Sequence, residues 1–220
     1  MTNIALLYQD AINRETLRKQ LRAIAKANPK AVLTIDDAGA GAHTYMADDI
    51  EGSNLRGHFF VRTSRAGQQN FLQPAQIRDL HKRGHVIGIH LGLRPTRVSR
   101  STLGDVIHEF SRSSSELAEI LGVPARTASV PGGQYSSKLL RAAAIAGFET
   151  VFTAEPTLET DVVEGCTLRG RFTITRSTST ITAAALAYGA FLPRLSQSIF
   201  WHLKRPLELT SLVPQLHRHG

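Results

Sequence analysis

The sequence predicts an α/β protein built on parallel strands, and three observations point there. Short β-branched or aromatic runs alternate with longer amphipathic ones along the 220 residues, the pattern of strands joined by crossover helices. The residues that end those runs are polar or turn-forming: Asp36-Asp37, His90, Pro131-Gly132-Gly133 and Thr153-Ala154-Glu155-Pro156. Such residues belong where a parallel sheet presents its functional edge. No repeat of fixed length and no Gly/Ser-rich linker interrupts the chain, so a single domain over 1–220 is expected. Six or seven such units allow either a (β/α) barrel or an open doubly wound sheet.

In chain order, 3–8 is an apolar strand and 14–27 a helix with Leu17, Leu21 and Ile24 on one face. The next strand, 31–36, runs Ala31-Val32-Leu33-Thr34-Ile35 into two adjacent acids and the small-residue turn Ala38-Gly39-Ala40-Gly41. It delivers both carboxylates to the rim of a sheet, where a metal or a polarised water can be held. Segment 41–54 has helical composition, 57–62 is a strand, 74–83 a helix and 86–90 a strand ending at His90. The helix over 102–122 carries Leu103, Val106, Ile107, Phe110, Leu117 and Leu121 at helical spacing, opens on Thr102 with Asp105 three residues later, and stops at Gly122. Strand 126–130, helix 136–146 and strands 149–153 and 168–175 complete the units. Residues 178–220 form a C-terminal helical extension. Its amphipathic part, with Leu195, Ile199, Phe200 and Trp201, is expected to pack across the sheet rather than lie on a membrane surface. The tail from Pro214 is expected to fray.

A 42% hydrophobic fraction suffices for a core. The net charge of +8 favours anionic partners. The basic residues are nevertheless scattered from Arg14 to Arg218, with no dense run or basic-aromatic stripe, so no nucleic-acid partner is expected. No apolar stretch reaches transmembrane length, and the N-terminus lacks a charged region followed by an apolar one and a cleavage site. The lone Cys166 has no partner for a disulfide or zinc finger. A cytoplasmic home is the expectation.

Five ordered segments carry a family resemblance. Thr34-Ile35-Asp36-Asp37-Ala38, Gly57-His58-Phe59-Phe60-Val61, Gly84 to His90, Ser129-Val130-Pro131-Gly132-Gly133 and Phe152 to Pro156 together resemble the polysaccharide deacetylases, the NodB-homology group. The resemblance implies an irregular (β/α) barrel and a carbon–nitrogen amide hydrolase that removes acetyl from N-acetylated sugars or oligosaccharides with a divalent metal, often zinc. It places the general base on Asp36, metal ligation on Asp37 and His90, and an oxyanion-binding N–H on Gly132, within the substrate-binding turn Pro131 to Gly133. A cation that polarises the amide and acidifies its water, beside an unligated carboxylate, is coherent chemistry.

The chain departs from that pattern at named positions. Arg94 stands where the second ligand histidine falls, and a guanidinium cannot ligate a cation. Ala38 replaces a glycine, Ser129 stands where many members carry a base-orienting arginine, and the late Leu-x-His motif has no counterpart. Three readings follow. One is a deacetylase whose metal is held by Asp37 and His90 and completed by water or His43. The second is a non-catalytic glycan-binding member in which Arg94 pairs with Asp36 or Asp37. The third is a metal-independent carbon–nitrogen hydrolase, related in shape to cyclic-imide or allantoin hydrolases, in which Arg94 binds a substrate carboxylate.

Overall fold

A computed structural model describes residues 4–8, 12–92, 98, 100–130 and 136–210, with side chains described to residue 203. Its strands are β1 (Ala5–Tyr8), β2 (Val32–Asp36), β3 (Gly57–Val61), β4 (Val86–His90), β5 (Thr127–Ser129), β6 (Thr150–Phe152), β7 (Thr160–Val163), β8 (Cys166–Arg169) and β9 (Phe172–Ile174). They form one sheet in the order β7-β8-β6-β5-β4-β3-β2-β1-β9. Every pairing is parallel except β7 with β8.

The barrel closes through the chain itself. β8 pairs with β6 on one side of the sheet and β9 with β1 on the other, yet only Gly170 and Arg171 separate β8 from β9. Two residues span at most about 10 Å, so the two sides of the sheet must meet. The single strand expected over 168–175 is therefore a bent one that changes partners at Gly170-Arg171. The irregular (β/α) barrel is the architecture found, and the open doubly wound alternative falls. The β7–β8 hairpin had no counterpart in the sequence expectations. Its tip, Glu164-Gly165, takes φ of +50° and +84°, the left-handed pair that suits a tight hairpin turn.

Strand alternation divides the side chains into two layers. On β2, Leu33 and Ile35 join the large outer core, whereas Val32 packs with Ala5, Phe60 and Phe152 in a small cluster within the barrel. The outer core is covered by α1 (Arg14–Ala27), α2 (Ala47–Glu51), α3 (Pro74–Lys82), α4 (Leu103–Leu121), α5 (Ser137–Ile145) and α6 (Thr180–Tyr188). α4 begins at Thr102 with a reciprocal Thr102–Asp105 capping box and ends at left-handed Gly122, as its sequence signals required. The helix expected over 41–54 is instead a π-helical turn, Ala42–Met46, running into the short α2. The last helix, α7 (Phe191–Thr210), lies beside β9, where Gln197 Nε2 donates to Thr173 O at 2.7 Å and its Oε1 accepts from Thr173 N–H at 2.9 Å. It does not pack across the barrel as expected, because Leu192, Ile199, Phe200 and Leu203 are exposed and only Trp201 among its described large apolar side chains is half-buried.

Candidate active site

Asp36 is the last residue of β2, and Asp37 turns the chain away from the strand with φ +48°. Aspartate is among the few residues that tolerate this left-handed region. The conformational demand thus falls on Asp37 itself, and Ala38, buried in the outer core, needs no glycine's freedom. Strand alternation alone would send Asp37 to the face opposite Asp36; leaving the strand here keeps both carboxylates close enough to act on His90.

Asp36 lies on Arg171. The guanidinium donates Nη1–H to Oδ1 at 2.7 Å and Nη2–H to Oδ2 at 2.8 Å. Its other donors reach Thr34 Oγ1 at 3.1 Å, Ser129 Oγ at 3.0 Å and Thr153 O at 2.8 Å. All five N–H groups of Arg171 therefore have an acceptor, although its side chain is wholly buried. Burial alone raises the Asp36 pKa; the Arg171 charge and hydrogen bonds, with His90 and Ser129, outweigh it and hold the carboxyl below its ordinary value.

This arginine is the functional residue that sequence reasoning missed. The small Ser129 leaves room for a guanidinium arriving from another strand, and Ser129 Oγ accepts one of its bonds. A signal was present: Arg171 stands inside the strand expected over 168–175, where a charge turned toward the core needs a buried partner.

Asp37 pairs with a different cation. Arg62, the residue after β3, places Nη2 at 2.9 Å from Asp37 Oδ2. The β2–β3 register sets Asp36 opposite Phe60, so the residues following the two strands meet at the rim. Asp37 Oδ1 and Arg62 Nε are both buried without a hydrogen-bond partner. His90 completes the group: Nδ1 lies 3.9 Å from Asp36 Oδ2 and is also unpartnered. Burial lowers the His90 pKa, with Arg62 and Arg171 adding to the effect and Asp36 and Asp37 opposing it, so the ring is neutral at pH 7.

The structure thus brings Asp36, Asp37 and His90 together, and adds Arg62 and Arg171. Pro131, Gly132, Gly133 and Arg94 lie outside the described residues. The cations described on the two acids are Arg171 and Arg62; the pairing that the second reading expects of Arg94 lies outside the described residues. His43 is not a substitute ligand, because its Nε2 lies 3.0 Å from Asp79 Oδ2 on α3. His85 is structural: Nδ1 accepts from Gly57 N–H at 3.1 Å and Nε2 lies 2.9 Å from Glu51. His58 sits against Phe152, with ring centroids 5.8 Å apart, and burial pushes its pKa down to about 4.

Acidic and imidazole side chains at the strand ends of a parallel barrel occupy the edge where such barrels carry their chemistry. The chain belongs to the polysaccharide deacetylase family, whose model matches residues 23–151. Among solved structures it is similar to IcaB from Ammonifex degensii, at 19% identity and TM-score 0.70 over 84% of this chain and 97% of that one. It is also similar to the Streptococcus pyogenes deacetylase PplD, at 17% identity and TM-score 0.68 over 82% and 96%. A polysaccharide deacetylase from Bacillus cereus gives 12% identity and TM-score 0.70 over 84% and 68%. At these identities the likeness shows the fold. No curated protein matches the sequence.

Members of the family are generally metal-dependent. The donor set here does not fit a metal held as the family resemblance implies. Asp37 and His90 offer one unpartnered atom each, but Asp37 already carries a guanidinium and both oxygens of Asp36 are engaged by another. The third ligand position is Arg94. Among the described residues no three His, Cys, Asp or Glu side chains converge as a metal set. A divalent cation at Asp37 would have to displace Arg62 or sit beside its charge.

Proposed function

We propose that the chain is a polysaccharide deacetylase-type hydrolase that cleaves the amide of an N-acetylated sugar at the barrel rim, using its own side chains. One observation carries this: a neutral imidazole with a free, buried Nδ1 lies 3.9 Å from a carboxylate that a fully bonded guanidinium keeps ionised. Water attacks the acetyl carbon and gives its proton to His90, and Asp36 stabilises the imidazolium so formed. The carbonyl electron pair moves onto oxygen, toward the partnerless Nε–H of Arg62, a charged donor aligned with charge that appears only in the transition state. The oxyanion collapses, the carbon–nitrogen bond breaks, His90 returns the proton to the leaving amine, and acetate departs. Asp36 and His90 share the base's work, which the family resemblance gives to Asp36 alone. Gly132 as a second oxyanion donor, and Arg94 with the Pro131 to Gly133 turn as substrate contacts, belong to the same proposal. So does a cytoplasmic home, supported by the single, buried, free Cys166.

A second reading is a glycan-binding member without turnover, favoured by the Arg62–Asp37 pair, which neutralises the acid that the family pattern uses as a ligand. Acetate release from N-acetylchitooligosaccharides, measured with and without chelator beside elemental analysis, separates the two. The expected result is chelator-resistant release that His90→Gln and Asp36→Asn each abolish, in protein with substoichiometric metal. Binding without release supports the second reading. Stoichiometric metal with chelator-sensitive release overturns the residues-only scheme. The double variant Arg62→Ala/Arg94→His is expected to take up one zinc per chain, since it removes a competing cation and restores a donor.

A further inference from the structure

The apolar stripe of α7 is turned outward. Leu192, Leu195, Ile199 and Leu203 recur at three- and four-residue spacing and so share one face of the helix. Leu192 and Leu203 are 75% and 67% exposed, and Phe191 and Phe200 are exposed too. The opposite face makes the helix's polar contacts with the protein: Gln197 bonds both backbone groups of Thr173, and Arg194 Nε donates to Gly189 O at 3.0 Å. The amphipathicity is therefore inverted relative to a helix that helps close a core, and Gln197 locks that orientation. An apolar stripe of this length left in water is a contact surface.

Charge selects its occupant. From Phe172 to the end of the chain there are five Arg or Lys residues, Arg176, Arg194, Lys204, Arg205 and Arg218, against one acid, Glu208. At a chain net charge of +8, a second copy would be repelled. An anionic surface would be attracted by the same charge. An amphipathic helix with a basic complement and aromatic residues at its flank is the form that lies in a lipid headgroup layer. No helix among the described residues is long and apolar enough to cross a membrane, so this contact is peripheral. We infer that the outward face of α7 docks the protein on an anionic lipid surface, with Leu192, Leu195, Ile199 and Leu203 entering the headgroup layer. The helix also borders the barrel rim: a groove of about 300 Å³ separates Phe191, Arg194 and Leu195 from Pro156 and Leu158 in the segment after β6. A docked helix would hold that side of the rim near the lipid surface.

The inference is independent of the hydrolytic reading, because its test does not read activity. Co-sedimentation of the whole chain with phosphatidylcholine vesicles is compared with vesicles that also contain phosphatidylglycerol. Binding is expected with the phosphatidylglycerol vesicles only. Leu192→Ser/Leu203→Ser, at exposed positions where the fold loses nothing, is expected to weaken partitioning about a hundredfold at unchanged melting temperature, roughly tenfold per leucine. Absence of binding to the anionic vesicles overturns the inference, as does binding that the double variant leaves intact. A concentration-dependent dimer that the same substitutions dissolve, in sedimentation velocity without vesicle binding, assigns the face to a second copy instead.

Discussion

Arg171 holds a full positive charge inside the barrel with all five of its donors bonded, so its removal strands an ionised Asp36. Breaking a buried pair in this way costs about 3–5 kcal/mol. Arg171→Met is expected to lower the urea-unfolding free energy by that amount, and Arg171→Met/Asp36→Leu to recover much of it by removing the orphaned charge as well. A single variant within 1 kcal/mol, on the order of a surface change, would show that Asp36 relaxes to water and that the pair does not organise the site. The acids and His90 were legible as candidates because polar residues ending apolar runs have few structural reasons to be there. Their partners were not. A guanidinium reaches several ångströms from its backbone, and its target depends on strands up to 137 residues away in sequence.

Gly170 governs how β8 becomes β9. A Cβ there would meet Glu155 O at a forbidden distance and Thr157 O at 2.7 Å, both of them backbone atoms that cannot swing aside. Gly170→Ala is expected to cost about 1–3 kcal/mol, with acetate release falling as Arg171 is displaced; unchanged thermal unfolding would refute the closure as a constrained element. At this scale the sequence was most legible where a signal is local. The capping box of α4 is complete within four residues, and β1 to β4 and β6 carry their own β-branched, apolar or aromatic runs. The break of 168–175 into two strands was hidden, since an apolar run does not say how many partners it has. The orientation of α7 was hidden for a similar reason. Periodicity identifies a stripe but not what it faces, and Gln197 decides that through a bond to Thr173.

Among the described residues of the whole molecule, His85 and His90 are buried and His58 is partly buried, and loss of hydration lowers the pKa of each. The unfolded chain binds protons at these sites near pH 6.5 that the folded chain refuses. Their contribution is therefore fully present above pH 6.5 and lost as pH falls toward the folded values. His58, at about 4 when folded, alone accounts for roughly 3 kcal/mol across that window. Below it Asp36, whose folded pKa is lowered, begins to protonate and gives up its own share. Urea midpoints measured from pH 8 to pH 4 should fall steadily below 6.5, and His58→Leu should flatten the slope. A flat wild-type profile would mean that these rings are solvated.

Periodicity, caps and strand-end acids were enough, from the sequence by itself, to determine an α/β protein of parallel strands with chemistry at the strand ends, because each rests on neighbours within a few residues; the barrel came from the resemblance carried by the five ordered segments. Only the tertiary structure decided which cation sits on which acid, that the barrel closes through a bent strand, and that the last helix turns its apolar stripe outward. Charge pairing, strand partnership and helix orientation are contacts between distant segments. Their energies depend on burial and register, which exist only once the chain has folded.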